Sequence, residues 1–244
     1  MSLQFAVVHE APADFQTGTE LADRVLVESI DWMEEDLIEH HRTWLRESSG
    51  APLTWKRIKQ SALDAGINAI GFFDGEPAQP DARAARRAIL YLRHALPDLA
   101  GVLLIRDQDD QPERRVGLDQ ARRQEEGRLP VVVGLAVVER ESWVISGFDP
   151  QDVVEESHLA VERQTLGLDP RVRSHELTAC KDDRAPRSPK RVLRALCGGD
   201  PDRERRCWRE TLLATLRHRG AENGLGAFLD EVRQELGGLI GHVS

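Results

Sequence analysis

Hydrophobic residues along this chain follow two spacings. Continuous apolar runs stand at residues 5–8 (FAVV), 102–105 (VLLI) and 130–138 (PVVVGLAVV). Short runs of this kind, bounded by polar residues, predict strands buried on both faces of a parallel sheet. Between them the apolar positions recur at helical spacing. Residues 15–30 carry Leu21, Val25, Leu26 and Ile30, residues 55–65 repeat the pattern, and residues 80–96 place Ala84, Ala88, Ile89, Leu92 and Leu96 on one face. Asp81 and Pro97 supply start and stop signals for that last helix. More polar helices are expected over 114–128 and 149–167, the latter with Val153, Val154, Leu159 and Val161. The polar, acidic stretch 31–48 predicts a loop or insertion bearing a short helix, and 168–190, punctuated by Pro170, Pro186 and Pro189, an extended loop. Helices over 188–196, 203–218 and 227–240 complete the pattern. Strands alternating with helices predict an α/β fold, a mainly parallel sheet flanked by helices. The chain divides into an α/β core over 1–167 and a basic loop with a helical C-terminal region over 168–244, packed on that core.

Composition narrows the class. The chain has 244 residues, 40% hydrophobic and 31% charged, within the range of a globular protein. No apolar run approaches the roughly 20 residues that span a bilayer, so no membrane association is expected. The start, MSLQFAVVHE, lacks a basic segment followed by a long apolar one, and a cytoplasmic location is the expectation. Cys180, Cys197 and Cys207 are odd in number and lack close metal-ligand spacing, which favours reduced thiols. A net charge of −9 argues against a protein that simply coats nucleic acid. Charge is uneven, however. Residues 181–219 concentrate Lys181, Arg184, Arg187, Lys190, Arg191, Arg194 and further arginines, either a phosphate-contacting face or a salt-bridged helix surface.

The chemistry gathers where strands end. The first run leads to Glu10, with Asp14 four residues on near the start of a helix; the second ends in Arg106-Asp107-Gln108-Asp109; the third is followed by Glu139-Arg140-Glu141. Open α/β sheets carry their sites at the carboxyl ends of strands. Acids that face one another there are unfavourable without a cation, and hard oxygen ligands suit Mg²⁺ or Mn²⁺. Asp14 also fits a helix cap, and the other acids also fit ordinary loops.

VVHEAPAD before a helix and LLIRDQD after a later strand together resemble the Toprim pattern, a glutamate closing the first strand and a DxD closing a later one. Topoisomerases, primases and nucleases of the OLD (overcoming lysogenisation defect) family share that pattern. Glu10 and Asp14 match the two acids of the first motif in OLD-like nucleases; Asp107 and Asp109 match the DxD. AVVERESW is similar to the acidic-x-Trp segment of small bacterial Toprim-like proteins encoded beside ATPases, which makes Glu141 a further acid. Ala11 stands where that motif usually has glycine. The resemblance covers about residues 5–150 and implies a Toprim-like, Rossmann-like core. It further implies a Mg²⁺- or Mn²⁺-dependent nuclease acting on DNA or RNA, with DNA the first expectation. In that role Glu10, Asp14, Asp107, Asp109 and Glu141 hold metal. Glu10, Asp107 and Asp109 are catalytic, with Lys190, or else Lys181, as the charge-neutralising lysine. Lys181, Arg184, Arg187, Lys190 and Arg191 contact nucleic acid. An ATPase partner and an anti-phage or anti-plasmid setting follow from the same likeness. The alternative is a non-catalytic Toprim-like subunit that binds an ATPase or nucleic acid. A phosphatase with Asp107 as nucleophile ranks third, because Glu10 and Asp14 have no part in that scheme.

Overall fold

In a computed structural model, residues 2–47, 51, 53–69, 71–180 and 182–241 are described. The strands are β1 (Leu3–Val8), β2 (Arg42–Trp44), β3 (Phe72–Phe73), β4 (Glu76–Pro77), β5 (Leu99–Asp107) and β6 (Val131–Ala136). The α-helices are α1 (Pro12–Ser29), α2 (Ile38–His41), α3 (Trp55–Asp64), α4 (Ala82–Ala95), α5 (Arg114–Arg123), α6 (Arg140–Ser146), α7 (Val153–Leu166), α8 (Pro189–Cys197), α9 (Pro201–Glu210), α10 (Leu213–Arg219), α11 (Leu225–Val232) and α12 (Gly238–Ile240), the last two joined by a π-helical turn over Arg233–Gly237. The protein is α/β, with a mainly parallel four-stranded sheet in the order β2-β1-β5-β6. Strands β3 and β4 form a separate antiparallel pair. Among the described residues no helix is long and apolar enough to cross a membrane.

The chain forms two compact units. The first comprises Met1–Arg106, Gln111–Gly134 and Asp230–Ser244, the second Asp107–Asp110 and Leu135–Leu229. Each is assembled from separated segments.

In the first unit, β1 pairs in parallel with both β2 and β5. Phe5 to Val8 and Val102 to Leu104 are fully buried, as expected for strands covered on both faces. Strand β2 lies in the stretch expected to be loop. Its three residues carry too little pattern to read, and only Trp44 is buried. Asp23 of α1 holds it in place, accepting from Arg42 Nε at 2.6 Å and Trp44 Nε1 at 2.9 Å. Helix α5 stops at Arg123, short of the expected 128, because Glu125 turns inward. Its carboxylate is fully buried against Arg86 and Arg93 of α4. Gly117 lets α5 close on the Pro80 carbonyl, which would lie 1.8 Å from a Cβ there. Strand β6 is an edge, and Glu231 occupies one of its donors by accepting the Val133 N–H at 2.9 Å.

In the second unit, Asp152 caps α7 by accepting the Val154 and Glu155 N–H groups, and Gly167, at φ 70°, ends it. The helix expected over 203–218 is two helices, α9 and α10. Thr211 is extended and donates its hydroxyl to the Gly147 carbonyl at 2.6 Å, which draws the chain out of the helical path. Asn223 is the polar centre of this unit. Its Nδ2 lies within 2.9 Å of the Ser142 carbonyl and the Ser146 and Ser174 hydroxyls. Its Oδ1 accepts from Leu225 N, and its carbonyl accepts from Trp143 Nε1 and Val137 N. The residue is wholly buried, so losing the amide strands several polar groups away from water. Asn223→Ala is expected to lower unfolding stability by about 2–4 kcal/mol in urea titration. A loss under 1 kcal/mol, on the order of one ordinary hydrogen bond, would show that the amide is not the centre of the unit.

Candidate functional site

The two units each carry part of the predicted acidic set. In the first unit, β1 continues past Val8. His9 N–H donates to the Leu53 carbonyl at 3.1 Å, and Trp55 N–H donates to the His9 carbonyl at the same distance. This clamp fixes Glu10 just beyond the strand. Ala11 has φ −134° and ψ 161°, extended backbone open to any residue, so the absent glycine costs the turn nothing. Pro12 takes the first helical position, where an N–H is not needed. Asp14 is 7% exposed, and its Oδ2 accepts the Glu10 N–H at 3.2 Å and the Ala11 N–H at 2.7 Å. It therefore does the work of a capping-box acid, closing the start of α1.

Glu10 lies 3.4 Å from Arg106 Nε. Arg106 also donates to Asp81 at 3.1 Å and lies over the Trp55 ring, whose Nε1 donates to the Ile105 carbonyl. Arg114 approaches the same Asp81 oxygen at 2.6 Å, in charge contact without hydrogen-bond alignment. Asp81 has φ 64°, and its side chain makes no cap bond to α4. Asp81 thus stands at the helix start as expected, while its side chain holds two arginines in place of a cap bond. His9 is buried beside Phe15, and burial lowers its pKa against the pull of Asp14.

In the second unit, Asp107 Oδ1 accepts the Arg140 N–H at 2.7 Å, which ties the end of β5 to the start of α6. Two left-handed residues meet beside it. Asp109, at φ 50°, donates its N–H to the carbonyl of Val138, at φ 74°. Such a backbone is costly for a β-branched residue, about 1–3 kcal/mol, and persists only where the surroundings enforce it. Glu139 follows directly and is 7% exposed. Lys190, the second residue of α8, reaches it with Nζ 3.3 Å from Oε1, and Asp183 lies 3.8 Å from the same nitrogen. Burial raises the Glu139 pKa, Lys190 opposes the rise, and the charges of Glu141 and Asp109 add to it. Burial also works against the Lys190 charge, yet the Glu139 carboxylate outweighs it and lifts that pKa. Glu141, the acid expected from the resemblance, instead contacts its neighbour Arg140 at 3.2 Å.

The structure thus brings Asp109, Glu139, Glu141 and Lys190 into one electrostatic cluster and ties Asp107 to the Arg140 N–H. Glu139 and Arg106, central to the two halves, were only partly legible. Glu139 stood among the acids after the third run, whereas nothing in the sequence marks Arg106 as more than a residue between Ile105 and Asp107. The donors are hard oxygens of the kind Mg²⁺ or Mn²⁺ takes. Their arrangement does not fit such an ion. Among the described residues no three His, Cys, Asp or Glu side chains form a group able to hold a metal, and an ammonium stands against buried Glu139.

The expected basic face is largely committed to the chain itself. Arg187 donates to the carbonyls of Glu176 and Leu166. Arg191 pairs with both oxygens of buried Glu162 at 2.7 and 2.6 Å. Arg203 pairs with Glu155, and Arg219 with Asp149. Arg184 is exposed. Lys181 lies outside the described residues. Comparison with family models, with curated proteins and with solved structures returns no match for this chain.

The Lys190–Glu139 pair makes a pH prediction. Because the folded pKa of Glu139 is raised, its ionisation weakens folding as pH climbs from the ordinary glutamate range through the folded value. Lys190 limits that loss only once Glu139 is charged. Lys190→Met is therefore expected to be neutral near pH 4 and to cost about 1 kcal/mol at pH 8, the range of a half-exposed pair. Urea unfolding at the two pH values checks this; a cost that does not change with pH would contradict it.

Proposed function

We propose that this chain is a non-catalytic Toprim-like subunit that binds a protein partner, with an ATPase as the partner class its resemblance implies. The observation that carries this reading is the Lys190 ammonium, 3.3 Å from Glu139 at the end of β6. A metal-dependent Toprim enzyme needs its strand-end acids for the ion. Here they are met by Arg106, Lys190 and backbone N–H groups. The internal pairing of Arg187 and Arg191 weighs against a nucleic-acid face. Helix α7 presents Val153, Val154 and Val161 to solvent at 77%, 56% and 55% exposure, a surface better suited to a protein than to a phosphate backbone.

The second reading is a Mg²⁺- or Mn²⁺-dependent nuclease. It is favoured by the place of Lys190, whose ammonium lies among acids 51 residues away in sequence, as a charge-neutralising lysine would. The strained Asp109–Val138 contact beside them also fits a site whose geometry is held at a cost. Bound metal would supply an activated water and charge stabilisation at phosphorus.

Purified protein incubated with Mg²⁺ or Mn²⁺ on supercoiled plasmid, single-stranded DNA and RNA separates the two. The subunit reading expects no cleavage beyond that of Asp107→Ala and Glu10→Ala, and co-purification with a partner ATPase. Metal-dependent cutting by the wild type that both substitutions abolish would overturn it in favour of the nuclease.

A further inference from the structure

Cys197 and Cys207 are 5% and 1% exposed, and their sulfur atoms lie 3.9 Å apart. Cys197 is the last residue of α8, and Cys207 lies on α9 ten residues later. Between them the chain turns through Gly198 and Gly199, at φ 65° and 74°, left-handed positions that glycine occupies without strain. An S–S bond of about 2 Å would need only a small approach of the two sulfurs across this turn. The third cysteine, Cys180, is less buried and stands in the loop before α8.

The two thiols differ in their surroundings. Arg203, one turn before Cys207 on α9, points Nη1 at the Cys207 sulfur from 3.4 Å. Its guanidinium is anchored by Glu155 and lies over the Phe148 ring. That places a fixed guanidinium, a positive hydrogen-bond donor, against the Cys207 sulfur and not against that of Cys197. The Cys197 thiol, by contrast, is held well above the usual range by its hydrogen bond with Cys207 and by burial.

We infer that Cys197 and Cys207 are a reversible redox pair, Cys207 reacting with a peroxide and Cys197 resolving it to an internal disulfide. The Cys207 thiolate attacks one peroxide oxygen; an S–O bond forms, the O–O bond breaks, and the leaving hydroxide takes a proton to become water. Cys197 then attacks the Cys207 sulfenic acid; the S–S bond forms, the S–O bond breaks, and a second water leaves with the Cys197 proton. The two thiols lose two electrons and two protons, and one hydrogen peroxide becomes two waters. A thiol reductant reverses the step by exchange. The bond would join the C-terminal end of α8, whose first turn carries Lys190, to the middle of α9.

The test treats the full chain with hydrogen peroxide, alkylates remaining thiols under denaturing conditions and maps peptides by mass spectrometry. The expected result is a linked Cys197–Cys207 peptide that increases with peroxide dose, persists in Cys180→Ser and disappears on treatment with dithiothreitol. Cys207→Ser should abolish the link and leave Cys197 alkylated. If that variant does not fold, the wild-type and Cys180→Ser maps decide by themselves. Absence of the linked peptide at doses that oxidise Cys180, or oxidation of Cys207 to sulfinic acid without linkage, would overturn the proposal.

Discussion

Carboxylates placed at the ends of buried strands need positive charge or N–H donors close by. An ion taken out of water without a partner costs several kcal/mol, so each such acid in this chain constrains what surrounds it. Asp14 is met by two backbone N–H groups, Asp107 by one from Arg140, Glu10 by Arg106 and Glu139 by Lys190. Local structure follows from these pairings. The Asp14 contacts set the start of α1, and Asp107 sets the start of α6. The reach of Lys190 requires α8 to begin near Glu139. Two of the acids that draw attention as a metal set, Asp14 and Asp107, hold helix starts in this fold.

The arginines follow the same logic. A chain with 42 acidic residues and 33 lysines and arginines has acids enough to engage much of its basic content internally. Arg191 on Glu162 and Arg203 on Glu155 join helices within the second unit, and Arg171 on Asp169 ties the turn after α7. The Asp169 carboxyl, although partly buried, is held at about 2 by Arg171 and Arg163. Glu231 does similar work in the first unit, binding Arg115, Arg122 and the β6 backbone. Clustered basic residues in the sequence thus become dispersed internal ties. The disagreement between an enzyme-like arrangement of acids and a saturated set of partners is what favours a binding role.

The long periodic elements were legible because burial on one face or on both imposes a pattern. Strands β1, β5 and β6 and helices α1, α3, α4 and α7 lie where the spacing of apolar residues puts them. What escaped was short or set by distant side chains. Strand β2 exists because Asp23 holds Arg42 and Trp44. Helix α6 starts where Asp107, 33 residues earlier, accepts an N–H. The break between α9 and α10 is made by Thr211 reaching back to Gly147. At the candidate site, the presence of acids at strand ends was readable, and so was Lys190 as a candidate. Their partners were not, because the pairing of Arg106 with Glu10 and of Lys190 with Glu139 depends on which chain segments the fold brings side by side.

The central claim is that the strand-end acids are met by the protein's own cations and N–H groups. Anomalous diffraction from crystals soaked in Mn²⁺ measures this most directly. The account predicts no manganese peak at Asp107, Asp109 or Glu139 and Lys190 still seated on Glu139. A manganese peak bridging these carboxylates, with Lys190 displaced from Glu139, would contradict it.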